Sequence, residues 1–301
     1  MSKKSSNPIK LTTSERVTNI ICTCILSLFL IIELYPLIFV VSSSFSSGAA
    51  VSAGRVYLWP VEFTMNGYKQ VFSYHLVGIG YRNTIFYTIV GTSINLVVTT
   101  CCAYPLARKN LQFKRFYLTL FIITMFVGGG MIPTYINMVN LHLINTMWVM
   151  VLPGAMTIGN MIIMRSFFQN SVPYELYEAS SMDGITDIGY LTKIMIPLSK
   201  PVYAVITLYY MVMHWNSYFS ALIYLRDRNK IPLQVVLREI LSLGQVDLTE
   251  VTDPEKLASL IGYADIMKFA LVVVSAAPMM IIYLCVQKFF KTGLMVGSLK
   301  G

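Results

Sequence analysis

Apolar residues in this chain gather into six long runs, at 17–41, 84–106, 116–131, 143–164, 202–224 and 269–289, with short polar stretches between them. Crossing a bilayer core of roughly 30 Å takes about 20 helical residues, so the pattern predicts six membrane-spanning helices. The run at 116–131 is the shortest, with room to extend past Pro133. Composition agrees: 55% of the 301 residues are hydrophobic, 12% are charged, and the mean hydropathy is +0.64, outside the range of an ordinary soluble domain. The fold class expected is an all-α integral membrane protein. The apolar run nearest the amino terminus is span-length with no small-residue cleavage pattern, so it is read as the first span and not as a cleaved signal peptide.

The basic residues orient the spans. Lys3, Lys4, Lys10 and Arg16 precede the first, and Arg108, Lys109, Lys114 and Arg115 lie between the second and third, whereas the third and fourth have none between them. Positive residues stay on the cytoplasmic side, which puts the amino terminus inside. Segment 1–16 and the tail 291–301 are then cytoplasmic, flanking a spanning domain at 17–290. The loop 166–201 is also cytoplasmic, and the loops 43–83 and 225–268 face outward. This bias, with attraction to anionic lipid, accounts for much of the net charge of +9 without nucleic acid. Cys22, Cys24, Cys101, Cys102 and Cys285 fall inside apolar spans at spacings suited neither to a metal site nor to an exterior disulfide, and are read as small core residues.

One loop stands out as a polar island, the stretch from Pro173 to Pro201. Pro173 suits the start of a helix and Gly184 its end, and a second short helix fits from about Thr186 to Met195, stopped by Pro197. Two short helices hinged at a glycine make a docking element. On the first helix, spacings of three and four put Leu176, Ala179, Ser180 and Asp183 on one face, with Glu175, Glu178 and Met182 beside them. Small side chains at Ala179 and Ser180 permit close approach, and carboxylates near the helix start suit its dipole. A solvated surface helix would carry the same acidic first turn.

The island resembles the EAA loop of permease subunits of bacterial ABC importers, with Glu178, Ala179, Ser180, Gly184, Ile194 and Pro197 in its places. Ser180 replaces a second alanine, and Ile196 replaces the leucine before the proline. The resemblance extends from about residue 63 onward through Asn83, Arg108, Asn145, Pro153, Asn160, Arg165 and Trp215-Asn216, and is nearest the branch of the maltose-system second permease. The terminal 295–301 segment looks like a Gram-positive subgroup often associated with complex oligosaccharides, some containing uronic acid. The resemblance implies a type I importer fold, a five-helix core plus one amino-terminal helix. It also implies coupling to an ATPase through Glu175, Glu178, Ala179, Ser180, Asp183 and Gly184. A second homologous permease, two ATPase subunits and an extracellular solute-binding protein would complete the assembly, with ATP and magnesium bound by the ATPases and an oligosaccharide as cargo.

The residues agree with that division of labour. No phosphate-loop motif is present, since Gly128-Gly129-Gly130 lacks the following lysine, and neither a nucleophile elbow nor a His-Glu-x-x-His zinc motif occurs. Catalytic residues, bound cofactors and metals are therefore not expected in this chain. For the substrate path the candidates are Asn95, Asn160, Trp215, Asn216 and Tyr218, because amides and aromatic faces suit hydroxyl-rich rings; hydrogen bonding between helices explains the asparagines equally well. Glu33, deep in the first span beside Tyr35 and Pro36, costs on the order of 3 kcal/mol unless it meets water or a partner, and joins the path candidates or forms a helix contact as a protonated acid. The outer loop from Leu225 to Asp265, which mixes Arg226, Arg228, Lys230 and Arg238 with Asp247, Glu250, Asp253 and Glu255, is read as a surface for the binding protein, an ordinary solvated loop being the alternative. A transporter or channel working alone is the main rival, and would have no need of the island.

Overall fold

In the computed structural model, residues 12–243 and 267–288 are described. They are helical with no strand among them, and divide into two compact units: the described residues of 1–70 and 246–273, and those of 71–245 and 274–301.

The first unit is built on α1, Thr13–Ser44, which opens with a capping box between Thr12 and Glu15 and carries Pro36 inside. α1 is exposed along almost its whole length; only Ser42, Ser43 and Ser44 at its end are buried. There Ser42 donates to the Leu58 carbonyl (2.7 Å), Ser44 bonds the Tyr68 hydroxyl (2.8 Å), and Phe45 packs on Phe63 and Tyr68. A short helix α2, Gly48–Ser52, and α3, Asn66–Ser73, follow. Arg55 pairs with Glu62 at 2.8 Å, and Ser47 donates to the same carboxylate; the bond from Ser47 and the Arg55 charge hold the Glu62 carboxyl below the usual range.

The second unit is organised around α4, His75–Ala107, which packs against α7, Ile158–Ser171, and α11, Lys200–Trp215. Met161, Met164, Phe168, Ile206 and Tyr210 fill the space between them. Hydroxyl pairs stitch the same helices: Thr99 to Tyr210 at 2.6 Å and Thr100 to Tyr203 at 2.8 Å. Such pairs satisfy polar groups where lipid offers no water. The amino-terminal half of α4 runs nine residues further than the hydropathy suggested, because Val77, Gly80 and Asn83 turn inward on its buried stripe.

The spans are less uniform than the sequence suggested. Thr13–Ser44, His75–Ala107 and the last helix, α14 (Met267–Lys288), are long and apolar enough to cross unaided. The third expected span is α5, Lys114–Phe126, and the run does not continue past Pro133 in line: the chain turns through 111° at Gly128–Gly130 into α6, Met131–Asn140. The fourth, at 143–164, is not one helix. A single 3-10 turn at Met147–Met150 and a corner at Pro153-Gly154 precede α7, whose 14 residues reach only about 21 Å. The fifth is α11 followed by a break at 216–218 and then α12, Phe219–Tyr224. Residues 225–233 then lead into α13, Leu233–Leu243.

The cysteines correct another expectation. Cys22, Cys24, Cys101 and Cys285 are exposed and Cys102 half-buried, so they are not core residues. An apolar span in this protein presents much of its surface outward, and hydropathy cannot tell that face from the packed one.

Candidate coupling element and translocation path

The polar island folds as two short arms. α8, Glu175–Met182, is followed by Gly184 at φ +73°, a left-handed conformation that side-chain-bearing residues enter only at a cost. Thr186 caps the second arm, accepting from the Gly189 amide at 3.2 Å. This arm is α9, Asp187–Tyr190, a π turn at Leu191–Met195, and α10, Ile196–Leu198. Pro197 does not stop the helix as expected. The wider turn before it accommodates the missing N–H, and the chain leaves the axis after Leu198, bending 84° into α11.

Arg108, one residue past the end of α4, holds the two arms together. Its guanidinium lies 3.1 Å from the ring centroid of Tyr177 on α8 and 3.3 Å from the Asp187 carboxylate on α9. It also donates to the Tyr104 hydroxyl at 3.4 Å, and that hydroxyl donates to the Asp187 carbonyl at 3.2 Å. Tyr190 meets Tyr177 edge-on, centroids 5.2 Å apart, and Lys109 sits 4.2 Å above Tyr174. Burial pushes the Tyr190 hydroxyl up from its ordinary value. The last carbonyls of α4, which a helix end leaves unpaired, are taken by Arg165 on Leu106 (3.0 Å) and Gln169 on Ala107 (3.2 Å). A cavity of about 110 Å³ remains under the clamp, between Arg108, Gln169, Pro173 and Tyr177. The second arm is also seated in the core: Tyr190 and Met195 are buried beside Ala103, Tyr104 and Leu106 of α4, with Tyr177, Ile185 and Ile194 packed against them.

This seating decides which side of α8 faces out. Glu175, Leu176, Glu178, Ala179, Met182 and Asp183 are exposed, Met182 at 90%. Ser180 is buried, its hydroxyl donating to the Tyr177 carbonyl at 2.8 Å. Ser180 therefore belongs to the inner side and not to the docking face with Leu176, Ala179 and Asp183, because Tyr177 and the residue three on from it turn together toward Arg108. Sequence reasoning matched Arg108 to the family but gave it no task. Its signal is a guanidinium one residue beyond a helix whose last turn carries Tyr104.

The path candidates separate. Asn95 is fully buried, its amide nitrogen donating to the Gly154 carbonyl and its oxygen paired with His214 Nε2 at 2.6 Å. Its polar atoms serve helix packing, the alternative reading. Gly91 makes room for the histidine, since a Cβ there would lie 2.4 Å from His214 Nε2. Trp215 is likewise buried, donating to the Ser275 carbonyl at 2.9 Å, and offers no face to a sugar. Asn160 is half-buried, with no side-chain hydrogen bond among the described residues. Asn216 and Tyr218 are exposed at the break after α11. Glu33 is exposed on α1. Of the outer loop expected to meet the binding protein, the part with Arg226, Arg228, Lys230 and Arg238 is described as far as Leu243; its acidic part with Asp247, Glu250, Asp253 and Glu255, and the tail 291–301, lie outside the described residues.

Two asparagines that carried the resemblance anchor that outer segment. Asn83 donates to the carbonyls of Asn229 (2.8 Å) and Ile231 (3.0 Å), and the Asn145 side chain accepts from the amides of Arg226 and Asp227, both at 3.0 Å. The Asn229 amide bond, with Lys230 beside it, holds the Asp227 carboxyl below the usual range.

A helical bundle that carries a hinged, exposed element seated on its longest core helix fits a transport permease. The chain belongs to the family described as the binding-protein-dependent transport system inner membrane component, which matches residues 76–294. It is the permease subunit of an ABC importer, a transport component and not the catalytic one. It is 37% identical over 270 residues to Protein LplC of Bacillus subtilis, covering 90% of each chain. To the polygalacturonan/rhamnogalacturonan transport system permease protein YtcP of the same organism it is 34% identical, covering 92% of this chain and 96% of the relative. Among solved structures, a chain of a bacterial ABC transporter involved in the import of the acidic polysaccharide alginate superimposes with a TM-score of 0.83 at 36% identity, covering 94% of this chain and 99% of the other.

Proposed function

We propose that this chain forms half of the translocation path of an oligosaccharide importer and that the arms at 173–201 receive the ATPase stroke. The observation that carries the reading is the Arg108 clamp: it ties both arms to α4 while leaving Glu175, Leu176, Glu178, Ala179, Met182 and Asp183 free to dock. A push on α8 would then reach α4 through the stacked guanidinium and through Tyr177 against Tyr190, which is buried beside the end of α4, and α4 is packed against α7 and α11. Two ATPase subunits hold ATP and magnesium, a second homologous permease completes the path, and an extracellular binding protein delivers the sugar. The named relatives that carry polygalacturonan, rhamnogalacturonan or alginate support complex, partly acidic saccharides as cargo. Both termini lie in the cytoplasm on this reading, in keeping with the basic residues around the first two spans. Copurification tests it: an affinity-tagged chain should bring down an ATPase and a second permease, and Ala179→Trp should lose the ATPase while retaining the permease. Transport by this chain alone, without an ATPase, would refute the proposal.

A further inference from the structure

α13 lies against the end of α4 remote from Arg108. Its inner side is fixed by close approach: a Cβ on Gly80 would come within 2.9 Å of Leu233 Cα, and the Leu233 amide donates to Thr84 Oγ1 at 2.8 Å. Leu233, Val235, Val236 and Ile240 are buried. Gln234 and Arg238, four residues apart and hence on one face, reach to the break between α11 and α12. The Gln234 amide donates to Asn216 Oδ1 at 3.3 Å, and the Arg238 guanidinium stands 5.6 Å from the ring centroid of Tyr218. Two neighbouring cations are spent, Arg228 on Glu239 at 2.7 Å and Lys230 on Asp227 at 3.4 Å. Arg238 has no carboxylate partner among the described residues.

We infer that Asn216, Tyr218, Gln234 and Arg238 form a subsite for an acidic sugar residue, a hexuronate, at the outer part of the path; this rests on the permease reading above. Each group matches one part of such a ligand. The planar guanidinium presents paired N–H donors to a carboxylate, a match that lysine makes less well. The Tyr218 ring, 42% exposed, offers a flat apolar face to the pyranose C–H edge. The two amides, already paired, keep donors and acceptors for ring hydroxyls. A neutral sugar would use the ring and the amides and leave the cation idle. Trp215, pinned to Ser275, fixes the break from which Asn216 and Tyr218 project.

The test uses the whole complex, with its ATPases, second permease and binding protein, in proteoliposomes. Tetragalacturonate and its fully methyl-esterified form are the probes, and basal ATP hydrolysis is the assembly control. Arg238→Gln should raise the KM for tetragalacturonate about ten- to a hundredfold, the range of one charge-assisted contact, leaving kcat and the ester's KM within about twofold. Arg238→Lys should recover part of the loss. Equal effects on both probes, no effect on either, or a wild-type complex that hydrolyses ATP yet takes up no tetragalacturonate would each overturn the subsite while leaving the permease reading in place. Failure of any ATPase to copurify with the chain would overturn both.

Discussion

Replacing Arg108 by alanine isolates one of the contacts through which the arms meet the bundle. The guanidinium is mostly shielded, its side chain 16% exposed, so its stack on Tyr177 falls toward the upper end of cation–aromatic contacts, about 2 kcal/mol. The Asp187 carboxylate is 66% exposed, and screening limits that pair to about 0–1 kcal/mol. Together they contribute about 2–3 kcal/mol to seating the arms, beside the burial of Tyr190 and Met195, so Arg108→Ala should raise the population of detached arms roughly 30- to 150-fold from its low starting value. Hydrogen exchange reads this directly. The amides of Ile185 and Tyr190, bonded to the Ser180 and Thr186 carbonyls at 3.0 and 2.8 Å, should lose protection, while those in the middle of α4 and α11 should not. Sugar-stimulated ATP hydrolysis should fall with the ATPase still bound, because the docking face is untouched. Arg108→Lys keeps the charge and the Asp187 pair but loses the planar stack, and should sit between. Unchanged exchange at Ile185 and Tyr190, together with full stimulation, would refute the idea that force passes through this residue.

Gly184→Val would force a branched side chain into φ +73°, costing about 1–2 kcal/mol, and should uncouple hydrolysis from transport with the spans still inserted; transport equal to wild type would show that the hinge is not needed. Gly91→Leu should displace His214 and break its 2.6 Å bond to Asn95, leaving a buried polar group unpaired at about 1–3 kcal/mol, seen as a lower melting temperature of the detergent-solubilised complex. In a background freed of the native cysteines, a thiol probe at Trp59 (80% exposed) should react with an impermeant reagent from outside and one at Met182 (90% exposed) should not; the reverse labelling would invert the topology.

Much of this protein was legible before any coordinates. The apolar runs marked the helical class, and the spacing from Pro173 to Pro201 marked the hinged arms, because each rests on composition or on contacts a few residues apart. What the chain order does not carry is facing. Hydropathy merged the 3-10 turn at 147–150, the Pro153 corner and α7 into one span, since an average over a window is blind to a break. The same blindness put the cysteines in the core, Ser180 on the docking face, and Asn95 and Trp215 in the path. Arg108 with Tyr177 and Asp187, and Gln234 and Arg238 with Asn216 and Tyr218, are joined across tens of residues by helices that pack side by side. Which side of a helix looks inward is set by what packs against it, and that only the tertiary structure decides.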